Sequence, residues 1–456
     1  MISPLADPTY RRLFSAQVIA LVGTGLSTVA LTLLAYDLAD GDAGAVLGTA
    51  LALKMIAYVG IAPFVGGIAH RLPRKAFLIA LDVARAAFVL CLPFVDAVWQ
   101  VYVLIFVLNA CSAGFTPTFQ ATIPDVLPDE ARYTRALSLS RLAYDLENLV
   151  SPTVAVILLT VASYDALFAA NSAAFIVSAL LVFSVTLPKA APSDRPVGAL
   201  VNLTFGVRSY IATPRLRGLL LLSLAVAAAG AMVIVNTVVY VRGTLGGSDT
   251  DTALVFAAAG AGSMLAAVLL PLVLERHPER PVMLAGGLLM SLGLILGLTR
   301  PGFLVLLPIW FLLGVGSSLV QTPAGRLLRA SCQPSDRSAF FSAHFALSHA
   351  CWLLTYPLAG WFGAEVGLPG AFAILAGLVV VATAAAVRVW PVETTAELEH
   401  VHEELDHEHL HVHDGHHQHE HEGWEGPEPH GHPHRHEPLK HKHAFVIDLH
   451  HPRWPA

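Results

Sequence analysis

Gly66-Gly67-Ile68-Ala69-His70-Arg71-Leu72-Pro73-Arg74-Lys75 is a short basic, proline-containing interruption between two apolar runs, at about residues 44–69 and 76–95. A helix needs roughly 20 apolar residues to cross about 30 Å of hydrocarbon, so the interruption reads as a turn at a membrane surface. The same alternation continues outward on both sides. Further apolar runs at about 13–36, 98–121, 136–161, 164–187, 217–241, 252–274, 281–299, 302–322, 338–362 and 367–390 bring the total to twelve. The 13% charged content of this 456-residue chain is about half that of an ordinary soluble domain. The expected class is therefore an all-α, multi-pass integral membrane protein whose principal partner is the lipid bilayer.

The charge between the runs is sorted by side. One set of loops carries Arg11, Arg12, Arg71, Arg74, Lys75, Arg132, Arg135, Arg276, Arg280, Arg326, Arg329 and Arg337, and the alternate set holds only Arg242 and Arg300 beside several acids. Basic loops stay cytoplasmic, which predicts a bacterial inner-membrane protein with both termini in the cytoplasm. The first run is too long for a secretory signal and lacks a small-residue cleavage site, so it reads as a retained helix. Cys91, Cys111, Cys332 and Cys351 are scattered, without a CxxC pair, and read as packing residues. No GxxxxGK[ST] loop is present to bind nucleotide. Nor does any nucleophile–base constellation indicate an enzyme, and nucleic acid is not an expected partner.

Two halves are discernible. A six-helix unit (1–187) and a second (217–390) flank a Pro-, Lys- and Arg-containing linker (188–216), and a tail follows (391–456). His70-Arg71-Leu72-Pro73-Arg74-Lys75 is echoed by Glu275-Arg276-His277-Pro278-Glu279-Arg280. Thr116-Pro117 precedes Pro128-Asp129-Glu130 as Thr322-Pro323 precedes Pro334-Ser335-Asp336, at the same offset of 205 to 206 residues. An even number of helices per unit gives parallel repeats, the arrangement in which secondary transporters place a central site between two rocking bundles.

The opening stretch resembles the signature loop between helices two and three of the major facilitator superfamily. That loop reads glycine, three residues, Asp-Arg, one residue, then Gly-Arg-Arg or Gly-Arg-Lys. Gly66, Arg71, Arg74 and Lys75 match, while His70 stands for the family's Asp and Pro73 for its second Gly. Phe115 to Pro128, with Asn171-Ser172, is similar to the export-type branch. The resemblance covers residues 10–390 and implies the twelve-helix major facilitator fold, alternating access, proton coupling and a monomer.

Ionisable groups in mid-bilayer are expensive and must face protein, water or a partner. Lys54 reads equally as a cavity charge or as a structural partner of a neighbouring helix. Asp82 and Arg85, three apart on one helical face, suit an internal salt bridge. Arg141, Asp145 and Asn148 share a face. Pairing of Arg141 with Asp145 makes a gate, whereas Asp145 and Asn148 facing a cavity would offer oxygens to a hydrated divalent ion. Glu147 lies on another side and serves a different neighbour. His344 and His349 are turned roughly 140° apart, so one helix cannot chelate with both, and a lone helix histidine also serves as a hydrogen-bonded structural residue. Since helix eleven borders helix two in the resembled architecture, one of them is expected near Lys54 and Tyr58.

The tail holds 18 of the 22 histidines, with 14 acids against 4 Lys or Arg. Neutral imidazole is a favoured ligand of Ni(II), Cu(II), Co(II) and Zn(II). The candidate ligands are His400, His402, His407, His409, His411, His413, His416, His417, His419, His421, His430, His432, His434, His436, His441 and His443. Histidines two apart share a side of an extended chain, and histidines four apart share a helical face. Thr394-x-x-Glu397 could cap a short helix pairing His407 with His411 or His409 with His413, and residues 412–443, interrupted by Gly and Pro, are expected to be disordered without metal.

With its tail the chain resembles bacterial nickel-resistance exporters of the same superfamily. That implies proton-coupled efflux of nickel and cobalt, with divalent metal (Ni, Co or Zn) as substrate or tail ligand and no required cofactor. Export of an organic solute or metal chelate with the tail as sensor, and a metal-storing protein without transport, stay open.

Overall fold

The computed structural model describes residues 3–38, 43–188, 199–392, 397–402, 405–411, 430–436, 439–444, 446–447 and 454. The first half comprises α1 (Pro8–Leu38), α2 (Ala43–Ile68), α3 (Arg74–Cys91), α4 (Val98–Val126), α5 (Glu130–Leu159) and α6 (Tyr164–Phe183). A helix α7 (Ala199–Ala212) lies within the linker. The second half comprises α8 (Pro214–Val238), extended by the π-helical turn Val239–Thr244, then α9 (Asp249–Leu274), α10 (Glu279–Gly297), α11 (Phe303–Gln321), the short α12 (Ala324–Arg329), α13 (Arg337–Glu365) and α14 (Gly367–Val389). Local chemistry sets several starts. Asp7 Oδ1 accepts from the amides of Thr9 and Tyr10, both at 2.9 Å, Asp129 Oδ1 from that of Arg132 at 2.8 Å, and Ser248 and Asp251 form a capping box.

Among the described residues eleven helices are long and apolar enough to cross a membrane. The sequence runs predicted twelve. The remaining one, α13, has 29 residues but carries Arg337, His344 and His349, which lower its hydropathy. Apolar side chains such as Leu180, Leu288 and Leu304 stand exposed on the bundle's outside, as lipid requires and water does not tolerate.

The helices of the two halves pair alike. α1 packs on α6, α2 on α4, and α3 on both α4 and α6. In the second half α8 packs on α14, α9 on α11, and α10 on both α11 and α14. At the α9–α11 contact, backbone meets backbone: a Cβ at Gly262 would strike the Phe311 carbonyl, and one at Gly314 the Ala259 carbonyl. The halves meet along two seams, α2 with α13 and α5 with α9. Each seam is the other's counterpart under exchange of the halves. Helix α7 lies across α2 and α13.

The tail differs from expectation. Instead of a capped helix, Glu397–His402 (β1) pairs antiparallel with Leu439–Ala444 (β4), and Leu405–His411 (β2) with His430–His436 (β3). The period of two in His-x-His prevails because an extended chain satisfies its backbone against a second strand of the same pattern. The expectation of disorder through 412–443 is accordingly corrected for 430–436 and 439–443. His413, His416, His417, His419 and His421 lie outside the described residues, and the strand histidines are described by their backbone alone.

Candidate transport pathway and its gates

The seams close at the basic end of the bundle. Helix α4 ends and α5 begins there, which places Asp125, Asp129 and Glu130 opposite the arginines of the second half. Asp125 accepts from Arg74 of α3 and from Arg337 of α13. The side chains of Arg74, Asp125 and Arg337 are 6%, 15% and 11% exposed, so one carboxylate holds two poorly hydrated guanidiniums from opposite halves. Arg326 of α12 pairs with Glu130, with Glu279 at 2.8 Å and with Thr134 Oγ1 at 3.0 Å. Arg135 meets Glu275 at 3.4 Å, and Arg329 donates to the Pro128 carbonyl at 2.6 Å. Beneath this latch α2 and α13 touch: a Cβ at Gly66 would stand 2.7 Å from Ser342 Cβ. Glycine at 66 thus permits the closed seam.

The opening stretch divides by role. Gly66 and Arg74 are in the latch. Lys75 instead places its ammonium 5.0 Å from the Phe183 ring centre within its own half. Arg71 ends the 3-10 turn Ala69–Arg71, and of His70 only the backbone, in the same turn, is described. Pro73, in the place of the family's second glycine, precedes the first residue of α3. Sequence reasoning missed Asp125, Glu130, Glu275, Arg326 and Arg337 as a set. The arginines appeared only as orientation charge, Glu130 and Glu275 appeared at the repeat offsets and Asp125 within the Phe115–Pro128 segment, all without their partners.

The α5–α9 seam is joined by Arg141 and Asp145, paired at 2.9 Å, one of the two arrangements their spacing leaves open. Ser263 of α9 donates to Asp145 Oδ2 at 2.6 Å and accepts from Arg141 Nε at 3.0 Å. Both charges are therefore engaged across the halves. Asn148 is exposed and donates to the Tyr144 carbonyl of its own helix at 2.9 Å, so it does not stand with Asp145 as an oxygen pair.

Farther along the seams a mixed group gathers from α1, α2, α5 and α13. The Lys54 ammonium lies 5.8 Å from the Tyr58 ring centre, and the Tyr58 ring is edge-on to His349 at 4.8 Å and to Phe345 at 4.9 Å. The expected meeting of helix eleven's histidine with Lys54 and Tyr58 thus falls to His349. Its Nδ1 is 2.7 Å from the Phe345 carbonyl. A carbonyl only accepts, so Nδ1 carries the proton and Nε2 keeps the lone pair. Glu147, half-buried, is within electrostatic reach of Lys54 and lies against Gly25 of α1, where a Cβ would come within 2.7 Å of Glu147 Oε1. Ser140 donates to Gln17 at 3.1 Å, bordering the group on α1.

Three predicted residues are placed elsewhere. Asp82 and Arg85 pair inside the first half. Ser178 donates to Asp82 at 2.8 Å, and the Arg85 guanidinium lies 4.1 and 4.4 Å from the centres of Phe115 and Phe175. This is a closed structural site. His344 faces the linker helix: its Nδ1 is 3.0 Å from the Tyr210 hydroxyl. Burial pushes that hydroxyl well above its usual range, so Tyr210 keeps its proton in this contact. No group of three or more His, Cys, Asp or Glu able to hold a metal occurs among the residues whose side chains are described, which leaves out the four tail strands.

Comparison with known proteins agrees with this architecture. The sequence model of the Major Facilitator Superfamily matches residues 13–238 and 219–439. An uncharacterized MFS-type transporter of Bacillus subtilis, YfiS, is 24% identical over 387 residues, 80% of this chain and 91% of its own length. Macrolide efflux protein A of Streptococcus pyogenes is 25% identical over 186 residues, 39% of this chain and 44% of its own. Among solved structures, the human organic anion transporter MFSD10 superposes with a TM-score of 0.70 at 13% identity, covering 83% of this chain and 98% of that one. A bacterial homologue of the iron transporter ferroportin, in its outward-facing state, gives 0.68 at 13% identity, covering 84% and 98%.

Proposed function

The chain belongs to the major facilitator superfamily and is a multi-pass membrane transporter, not an enzyme; on that premise we propose that it exports divalent metal cations, nickel foremost and cobalt with it, by proton-coupled alternating access. The observation that carries the choice of substrate is the tail, with 18 histidines in 66 residues. It leaves the body beside the latched end. By the distribution of basic residues that end is cytoplasmic, which puts the tail where an exporter collects its ion and both termini inside a bacterial inner membrane. Helix α13 completes twelve spans: its 29 residues reach about 44 Å at 1.5 Å per residue, and its histidines turn toward α2 and α7 rather than lipid.

In this reading the latch closes the cytoplasmic mouth. Glu147, Lys54 and the Nε2 of His349 form the exchangeable centre, where a carboxylate can trade a proton for a cation as the bundles rock. The tail captures or buffers metal and takes no part in the crossing. Cells expressing the chain should accumulate less Ni(II) and Co(II) than cells carrying the empty vector. Equal accumulation would remove the metal reading.

A second reading, export of an organic solute, is favoured by the similarity to a macrolide efflux protein and by the aromatic side of the seam, where Tyr58 and Phe345 flank His349. Macrolide tolerance conferred without any change in metal accumulation would select it.

A further inference from the structure

The two strand pairs of the tail have a register that composition alone does not contain. The Cα partners are His407 with His434, His409 with His432, and His411 with His430. Residues directly opposite in an antiparallel pair fall on one side of the ribbon, and positions two apart return to that side. Three successive rungs of the ladder are therefore histidine on both strands, about 7 Å apart along the strand at 3.4 Å per residue. A fourth such pair, His400 with His441, occurs where β1 meets β4.

The intervening positions support the same register independently. Asp406 is partnered by Arg435 and Glu399 by Lys442, so acid stands opposite base, the pairing that stabilises a sheet. The ribbon is also fixed at both ends on one end of the body. Where the tail departs, Trp390 is buried against Gly218 of α8, and its carbonyl accepts from Arg280 Nε at 2.9 Å. Where it returns, Ile447 is buried and the Trp454 ring stands 5.8 Å from the guanidinium carbon of Arg215, also of α8. Both anchors lie at the basic end.

We propose that β2 and β3 form a metal-binding site for a borderline divalent cation, Ni(II), Cu(II), Co(II) or Zn(II), at the cross-strand ladder where the register sets histidine opposite histidine on three successive rungs. The proposal deepens the metal-binding role given to the tail and rests on that reading, but not on what the membrane body transports. Its consequence is selectivity of position. A disordered sponge binds in proportion to its histidines, whereas a ladder binds only where histidine faces histidine. Filling the rungs also ties outgoing and returning strands together, so metal and strand pairing stabilise each other by linkage.

The test keeps composition constant and changes register alone. In full-length protein purified in detergent, one variant exchanges neighbours in β2 (D406H/H407D, E408H/H409E, L410H/H411L). A second exchanges them in β3 (H430G/G431H, H432P/P433H, H434R/R435H). A third carries both sets, which again sets three histidines opposite three histidines, now on the other face of the ribbon. Ni(II) and Zn(II) are titrated separately by isothermal calorimetry. The ladder predicts that each single set weakens the tightest binding by more than about tenfold, at least the loss seen when a metal site loses a supporting partner, and that the combined set restores it. Equal binding by wild type and all three variants overturns the ladder and leaves a sponge. Absence of Ni(II) and Zn(II) binding by wild type overturns both the ladder and the tail's metal role. Weakened binding in the single sets with no recovery in the combined set also overturns the ladder.

Discussion

Asp125→Asn should unlatch the basic end. In the closed structure this carboxylate is shared by Arg74 and Arg337, whose side chains are 6% and 11% exposed. The asparagine variant keeps the shape and removes the charge, leaving two like charges facing each other in a poorly hydrated seam. Breaking a buried ion pair from one side costs about 3–5 kcal/mol. The 15% exposure of Asp125 places this case at the lower end, since some solvent already screens it. The share of the cost that belongs to Arg337 falls on the closed state alone, because rocking carries α13 away from Asp125 whereas Arg74 stays with Asp125 in the same half. About 3 kcal/mol corresponds to a shift of roughly a hundredfold in the closed-to-open ratio. Spin labels at the exposed Ala131 and His277, on opposite halves at that end, would report it by double electron–electron resonance. Asp125→Asn should lengthen the principal distance and Asp125→Glu should leave most of the short population. An Asp125→Asn distribution identical to wild type would refute the assignment of Asp125 as the latch.

Gly66→Val places a branched side chain against Ser342 and should produce the same opening by steric means, read with the same label pair. Asp82→Asn acts on stability instead. It strands Arg85 in a pair whose side chains are 7% and 0% exposed, costs about 3–5 kcal/mol, and should lower the thermal midpoint in detergent without changing the label distances. Glu147→Gln keeps the midpoint and removes a carboxylate within electrostatic reach of Lys54, so substrate flux should lose its dependence on the pH gradient; retained proton-driven flux would exclude Glu147 as the coupling group. Deleting residues 391–456 should lower metal tolerance partially, by abolishing capture while sparing the pathway, and complete loss would indicate storage.

The membrane helices were legible because bilayer thickness dictates run length, so the apolar stretches at 98–121 and 252–274 became α4 and α9 with their caps added. Contacts within one helix were legible too. The spacing of Asp82 with Arg85 suits their pairing, that of Arg141 with Asp145 allows it as one of two arrangements, and the resembled architecture sets one of His344 and His349 beside Tyr58, which is His349. What the chain could not display was partnership across distance. Asp125 and Arg337 lie 212 residues apart, and nothing near either names the other. Gly66 looked like a turn residue until Ser342 of α13 was seen against it. His344 was grouped with His349, yet its partner is Tyr210 in a linker where no helix was expected. In the tail both helical and extended spacings were present, and the choice was made by a partner strand beyond any local window.

Everted membrane vesicles, with the cytoplasmic face outward, test the central proposal most directly. With the lumen made acidic and Ni(II) or Co(II) added outside, the account predicts metal uptake accompanied by proton release from the lumen, abolished by a protonophore. Proton release unaffected by either metal, together with no metal entering the lumen, would contradict it.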